Sequence, residues 1–165
     1  MTTASNPSFP YRRNPLATTK ILAPASTAIQ PGDLIWDNSG VAAIASAYTW
    51  TSDLATTQYN FAQAFLGVSM DKRLSTDPST DRYILVMTSG DYSYPCPTAS
   101  GFQDVGTYYA PAQDSGSNLL DQVLTPVSTL ATGGTKATQG IFRLTEAIAT
   151  GAGQVLLHMS AGLTK

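Results

Sequence analysis

The stretch Pro31-Gly32-Asp33-Leu34-Ile35-Trp36-Asp37-Asn38-Ser39-Gly40-Val41-Ala42-Ala43-Ile44 decides the fold class. It reads as turn, strand, turn, strand. Pro31 pre-sets φ and Gly32 permits a positive φ, Leu34-Ile35-Trp36 is a short apolar run, and Asp37-Asn38-Ser39-Gly40 is a cluster of side chains that hydrogen-bond their own backbone. A β-hairpin is the economical reading. Two strands alone are marginal in water, so the segments that follow must supply more sheet and the face that covers Trp36.

Downstream, Thr51-Ser52-Asp53 offers N-cap chemistry, and Leu54, Gln58, Phe61, Ala62 and Phe65 fall at helical spacing, which predicts one short helix from about 53 to 63. Phe65-Leu66-Gly67-Val68-Ser69-Met70 predicts a strand in which Gly67 marks a bulge or a close backbone approach. A polar loop follows over 71–82. The clearest strand is Tyr83-Ile84-Leu85-Val86-Met87-Thr88, turned by Ser89-Gly90-Asp91. Tyr92-Ser93-Tyr94 begins another, which Pro95-Cys96-Pro97 stops or confines to an edge. Further strands are expected over 106–110 and 119–124, and a closing hairpin joins 140–148 to 154–159 through Thr150-Gly151-Ala152-Gly153. Many short strands separated by turns imply a mainly β fold, a compact β-barrel or sandwich with one short helix.

Upstream, residues 1–29 carry Pro7, Pro10, Pro15 and Pro24 with no helical or strand period, so they are expected to form an extended N-terminal arm ahead of a β-rich body over 30–165. Within the arm stand Phe9, Tyr11, Arg12 and Arg13. Aromatics and Arg are the residue types that most often carry interface energy, which makes these four the candidate contact residues of the arm.

Composition narrows the function. Of the 165 residues only 12% are charged, against about 25% in an average soluble domain, with Thr, Ser and Ala filling the difference. Such a surface suits one that is covered by a partner. The net charge of -2 and a pI near 5.1 give no basic stripe for nucleic acid. No run approaches the length of a membrane-spanning helix. Arg12-Arg13 is followed by Asn14, Pro15 and Lys20 rather than by the apolar region of an export signal, so no targeting segment is expected. The Asn6-Pro7-Ser8 triplet has Pro at the position that blocks glycosylation. Cys96 is the single cysteine, which rules out an intrachain disulfide and a cysteine-rich metal site.

Catalytic chemistry finds little to stand on. His158 is the single imidazole, it lies in an apolar strand pattern, and no G-x-S-x-G elbow accompanies it. Asp71, Asp77 and Asp81 could converge on a hard cation, but Arg73 sits at the third position of an EF-hand count and no Gly at the sixth. They are read as a solvated loop. Glu146, the only glutamate, is expected to point outward. Gly133-Gly134-Thr135-Lys136 lacks the spacing of a phosphate loop, and Gly151-Ala152-Gly153 lacks a third small residue, so both read as turns. Cys96 has no nearby cation to lower its thiol and reads as a small buried or loop residue. Tyr92/Tyr94 and Tyr108/Tyr109 could form a sugar-stacking platform, against the more common role of cross-strand or subunit packing. No enzyme, cofactor or metal is expected.

The order of the pieces carries a resemblance. Pro31-Gly32-Asp33-Leu34 opening a hairpin, Phe65-Leu66-Gly67-Val68 after a short helix, and the closing hairpin through Glu146-Ala147-Ile148-Ala149-Thr150-Gly151-Ala152 to Val155-Leu156-Leu157 together resemble tailed-phage capsid cement (decoration) proteins, over residues 30–160. The resemblance implies a structural virion protein on the outer surface of a bacteriophage head, commonly a homotrimer. Its arm would grip the major capsid protein through Phe9, Tyr11, Arg12 and Arg13 and stabilise the capsid. The chain departs from the smallest members by its length and its 71–82 loop. A carbohydrate-binding or fibre-type virion β-domain using the tyrosines is the alternative reading.

Overall fold

The computed structural model describes residues 17–77, 80, 82–96, 104–147 and 154–159. It is mainly β, as expected, and is built from a closed five-stranded barrel beside a curled five-stranded sheet. The barrel strands are β1 (Thr18–Ala23), β2 (Leu34–Asn38), β3 (Val41–Ile44), β4 (Phe65–Ser69) and β5 (Arg82–Met87), in the order β1-β3-β2-β4-β5. The second sheet holds β6 (Asp91–Pro95), β7 (Tyr108–Gln113), β8 (Leu119–Pro126), β9 (Phe142–Leu144) and β10 (Gln154–Met159), in the order β6-β10-β9-β7-β8.

The hairpin at 34–44 forms as read. Ile35 faces Ile44 and Asn38 faces Val41, and the turn between them has positive φ at both Ser39 and Gly40. Those angles match the right-handed twist of the flanking strands. Asp37 Oδ1 accepts the Gly40 N–H at 2.6 Å, fixing the turn.

After a 3-10 turn at Ala45–Ala47, the helix α1 spans Leu54–Ala64, where Asp53 caps it by accepting the Thr56 N–H at 2.8 Å. It buries Phe61 and passes directly into β4.

Gly67 is both a bulge and a close approach. Ile35 pairs with Gly67 while Trp36 pairs with Phe65, which leaves Leu66 as the extra residue.

A single-turn helix α2 (Lys136–Gln139), not expected from the sequence, is closed by a reciprocal Thr135–Thr138 capping box. The loop Gly133-Gly134 turns into it, and Gly133 takes a positive φ.

One expectation fails. Residues 1–29 were expected to form an arm without strand period, but β1 lies within them and pairs along its whole length with β5, from Thr18↔Met87 to Ala23↔Arg82. It also meets β3 in parallel at Leu22↔Val41, which closes the barrel. Ile21 and Ala23 point into the core, and Ile29, further along, is buried and bridges to Arg73. Alternation in Thr-Thr-Lys-Ile-Leu-Ala is short and half polar, and only the partner strand makes it decisive.

Two cores follow from the strand alternation. Ile21, Ile29, Ile35, Ala42, Leu66, Ile84 and Val86 fill the barrel. The opposite faces of β2 and β4, with Leu34, Phe65 and Val68, pack instead against Tyr94, Tyr109, Leu124, Phe142, Leu157 and others from the second sheet. The barrel wall at β4 is therefore buried on both sides, and all five of its residues are buried, Ser69 included.

An aromatic seam ties the layers. It runs from Trp36 to Tyr48 (4.9 Å), Phe61 (5.4 Å), Phe65 (5.8 Å) and Phe142 (6.0 Å), and on to Tyr92 and Tyr94. Each such pair is worth about 0.5–1.5 kcal/mol beyond area burial.

Candidate functional site

The residues with chemical potential mostly serve the joint between barrel and sheet. The turn Pro31-Gly32-Asp33 is gripped by strands from both edges of the second sheet. From β6, the Tyr94 hydroxyl donates to the Gly32 carbonyl at 2.7 Å, and from β8 the Gln122 amide donates to Asp33 Oδ1 at 2.7 Å and to the Pro31 carbonyl at 3.3 Å. Asp33 Oδ2 also accepts the Gln30 N–H at 2.7 Å. Burial raises the Asp33 carboxyl to about 6 against these donors, and the Asp121 carboxylate adds to the rise. Asp121 is itself raised by burial, although Ser46 donates to it through its N–H at 2.7 Å and its hydroxyl at 2.9 Å. One buried and one half-buried carboxyl group, Asp33 and Asp121, thus clip β8 to the barrel side.

A second polar link runs behind α1. Gln58, fully inside, donates to the Pro111 carbonyl at 2.9 Å and accepts from Gln139 at 3.0 Å. Gln139 in turn donates to the Thr129 carbonyl at 2.9 Å and accepts the Ala131 N–H at 3.1 Å. The pair satisfies the Pro111 carbonyl, where the β7–β8 register shifts, and the Thr129 and Ala131 backbone groups of the loop after β8.

The tyrosines expected as an alternative sugar platform are mostly inside. Tyr92, Tyr94 and Tyr109 are buried in the core, and only Tyr108 is partly exposed. A buried ring offers no face to a sugar, so these three pack. Cys96 is buried beside the Tyr109 hydroxyl, which burial and the neighbouring sulfur both push up.

The acidic loop also turns inward. Asp71 Oδ2 accepts the Leu85 N–H at 2.7 Å, and Asp77 Oδ2 caps the Leu74 N–H at 2.9 Å and pairs with Arg82 at 3.4 Å. Asp81 lies outside the described residues, among which no group of three or more His, Cys, Asp and Glu could hold a metal ion. Arg73 is fully buried and donates from Nη2 to the Thr80 carbonyl at 3.1 Å. Its Nε and Nη1 find no partner among the described residues. Glu146 is exposed, just past β9. His158 stands on the outer face of the sheet with Nδ1 2.8 Å from Asp91 Oδ1.

An outward face of the barrel carries several apolar side chains around Lys20. On β1 and β5 the residues that point away from the core include Leu22, paired with Tyr83, and Leu85, paired with Lys20. Tyr83 is 68% exposed, and Met70, whose N–H donates to the Leu85 carbonyl, is 38% exposed. Leu74, in the loop after β4, is exposed too.

The chain enters this face from Ala17. Its carbonyl accepts from the Thr88 N–H at 2.8 Å and its N–H donates to Ser89 Oγ at 3.0 Å. The arm residues Phe9, Tyr11, Arg12 and Arg13 lie outside the described residues. No helix among the described residues is long and apolar enough to cross a membrane. No protein-family model matches the chain, and no curated protein matches it significantly.

Proposed function

We propose that this chain is a structural decoration protein that binds the outer surface of a tailed-phage head through the major capsid protein, as a trimer, and so stabilises the capsid lattice. The observation that carries the reading is the outer face of β1 and β5, where exposed Tyr83 and half-buried Leu22 and Leu85 surround Lys20 beside Met70. Partly exposed apolar side chains gathered on one face favour a protein contact. That face lies on the strand that receives the segment bearing Phe9, Tyr11, Arg12 and Arg13, so face and arm can engage one partner together. The low charge content supports the same reading.

The work done would be thermodynamic. A protein that binds only assembled subunits opposes their separation by its binding free energy, and many copies act on one shell. Three of the four tyrosines behind the sugar-binding alternative, Tyr92, Tyr94 and Tyr109, are buried, and Tyr108 is partly exposed.

The test is co-sedimentation with purified empty capsids, using wild type and a Tyr83→Ser/Leu85→Ser pair. The reading expects saturable occupancy that the pair weakens at least tenfold. Wild-type protein left wholly in the supernatant, or equal occupancy for both, would remove its basis.

A further inference from the structure

The second sheet is open. Its strands run β6-β10-β9-β7-β8, so β6 and β8 are its two edges, and although the curl brings them near each other no ladder joins them. The turn Pro31-Gly32-Asp33 sits in that seam. Tyr94 of β6 donates to the Gly32 carbonyl from one side, and Gln122 of β8 donates to the Pro31 carbonyl and to Asp33 Oδ1 from the other. Beside Gln122, Asp121 accepts both the N–H and the hydroxyl of Ser46 from the barrel side.

Two carboxyls therefore meet at this joint. Their charges oppose each other, and neither takes part in an ion pair among the described residues. The other titratable group facing Asp33 is the Tyr94 hydroxyl, while Gln30, Gln122 and, from β4, Ser69 are neutral. Burial holds both carboxyls above their ordinary range, so ionisation weakens the closed joint relative to an open one whose carboxylates are hydrated.

We propose that the seam between β6 and β8, plugged by the 31–33 turn, is a pH-sensitive joint that is closed in mild acid and opens locally as pH rises toward neutrality, while the barrel stays folded. Opening parts the turn from side chains without breaking a ladder, because β6 keeps β10 and β8 keeps β7. Local opening falls to the least fastened part of a fold. The joint is independent of the capsid reading, because the free protein shows it.

The experiment is hydrogen exchange of the full chain followed by NMR, with each rate divided by that of the free group at the same pH. Two reporters cross the seam, the Ser46 N–H and the Gln122 side-chain amide. Protection at both is expected to fall about tenfold from about pH 5 to about pH 7, to vary little with low urea, and to stay below that of the β1–β5 ladder. Asp33→Asn is expected to remove most of the fall at Ser46, whose own acceptor is Asp121. Asp121→Asn, which removes the second charge, is expected to shrink the fall at Gln122 and decides the matter where Asp33→Asn does not fold. Protection equal to that of the β1–β5 ladder and equally steep in urea would overturn the proposal, because the seam would then open only with the whole fold. A fall that both variants leave intact would overturn it as well.

Discussion

The Gln122 amide on β8 donates to Asp33 Oδ1 at the mouth of β2 across 2.7 Å, joining the second sheet to the barrel through a carboxyl that burial holds at about 6. The sign of its pH effect follows from that rise. The native carboxyl keeps its proton more tightly than the unfolded one, so its stabilising contribution is complete below about pH 4 and is lost as pH rises through about 6.

Stability is therefore expected to increase by about 1.4 kcal/mol from about pH 7 to about pH 5, and by ~3 kcal/mol in all once pH is below the unfolded carboxyl's range, for a shift of about two units. Asp121 acts in the same direction. Asp33→Asn should flatten most of the profile in urea unfolding, at a lower baseline because the amide has a single acceptor oxygen where the carboxyl accepts from both the Gln30 N–H and the Gln122 amide. Asp53 and Asp114, whose carboxyls hydrogen bonds hold down, act oppositely and at lower pH. An identical pH profile in the variant would assign the effect elsewhere.

Gly67 lies against the backbone of β5. A Cβ there would stand 2.0 Å from the Met87 carbonyl oxygen and 2.9 Å from Val86 Cγ1, so β4 and β5 must part to admit it. Gly67→Ala is expected to cost about 3 kcal/mol or more, as overpacking against backbone does. The denaturation midpoint checks this, and a loss under about 1 kcal/mol would mean that the strands yield easily.

Ser39 takes φ 57 at the first position of the two-residue turn, where Asn is the better-suited residue. Ser39→Asn is expected to stabilise by about 0.5 kcal/mol, because the exposed side chain touches no core. Thermal unfolding of both proteins measures it, and a lower melting temperature in the variant would contradict the turn assignment.

The N-terminal boundary sets the truncation that is informative. Removing residues 1–16 spares β1 and is expected to leave the barrel folded while weakening attachment to purified capsids at least tenfold, about 1.4 kcal/mol. Removing residues 1–25 takes β1 away and is expected to unfold the barrel. Circular dichroism separates the two truncations, and equal capsid binding by the shorter truncation and wild type would move the contact off the arm.

What the sequence determined by itself was local. The 34–44 hairpin, the Asp53-capped helix, the strand at 65–69 with its glycine, and the closing strands at 142–144 and 154–159 follow from turn chemistry and periodicity, which act over a few residues. The tertiary structure decided everything that needs a distant partner. β1 is a strand because β5 lies beside it, Tyr94 packs in the core against Phe142 with its hydroxyl satisfied by the Gly32 carbonyl, and Asp33 is raised because the fold buries it. The seam between β6 and β8 exists only through the pairings of β6 with β10, β10 with β9, β9 with β7 and β7 with β8. Alternation assigns a residue to one face of its strand, but which strand lies alongside depends on contacts far along the chain, and no local pattern encodes them.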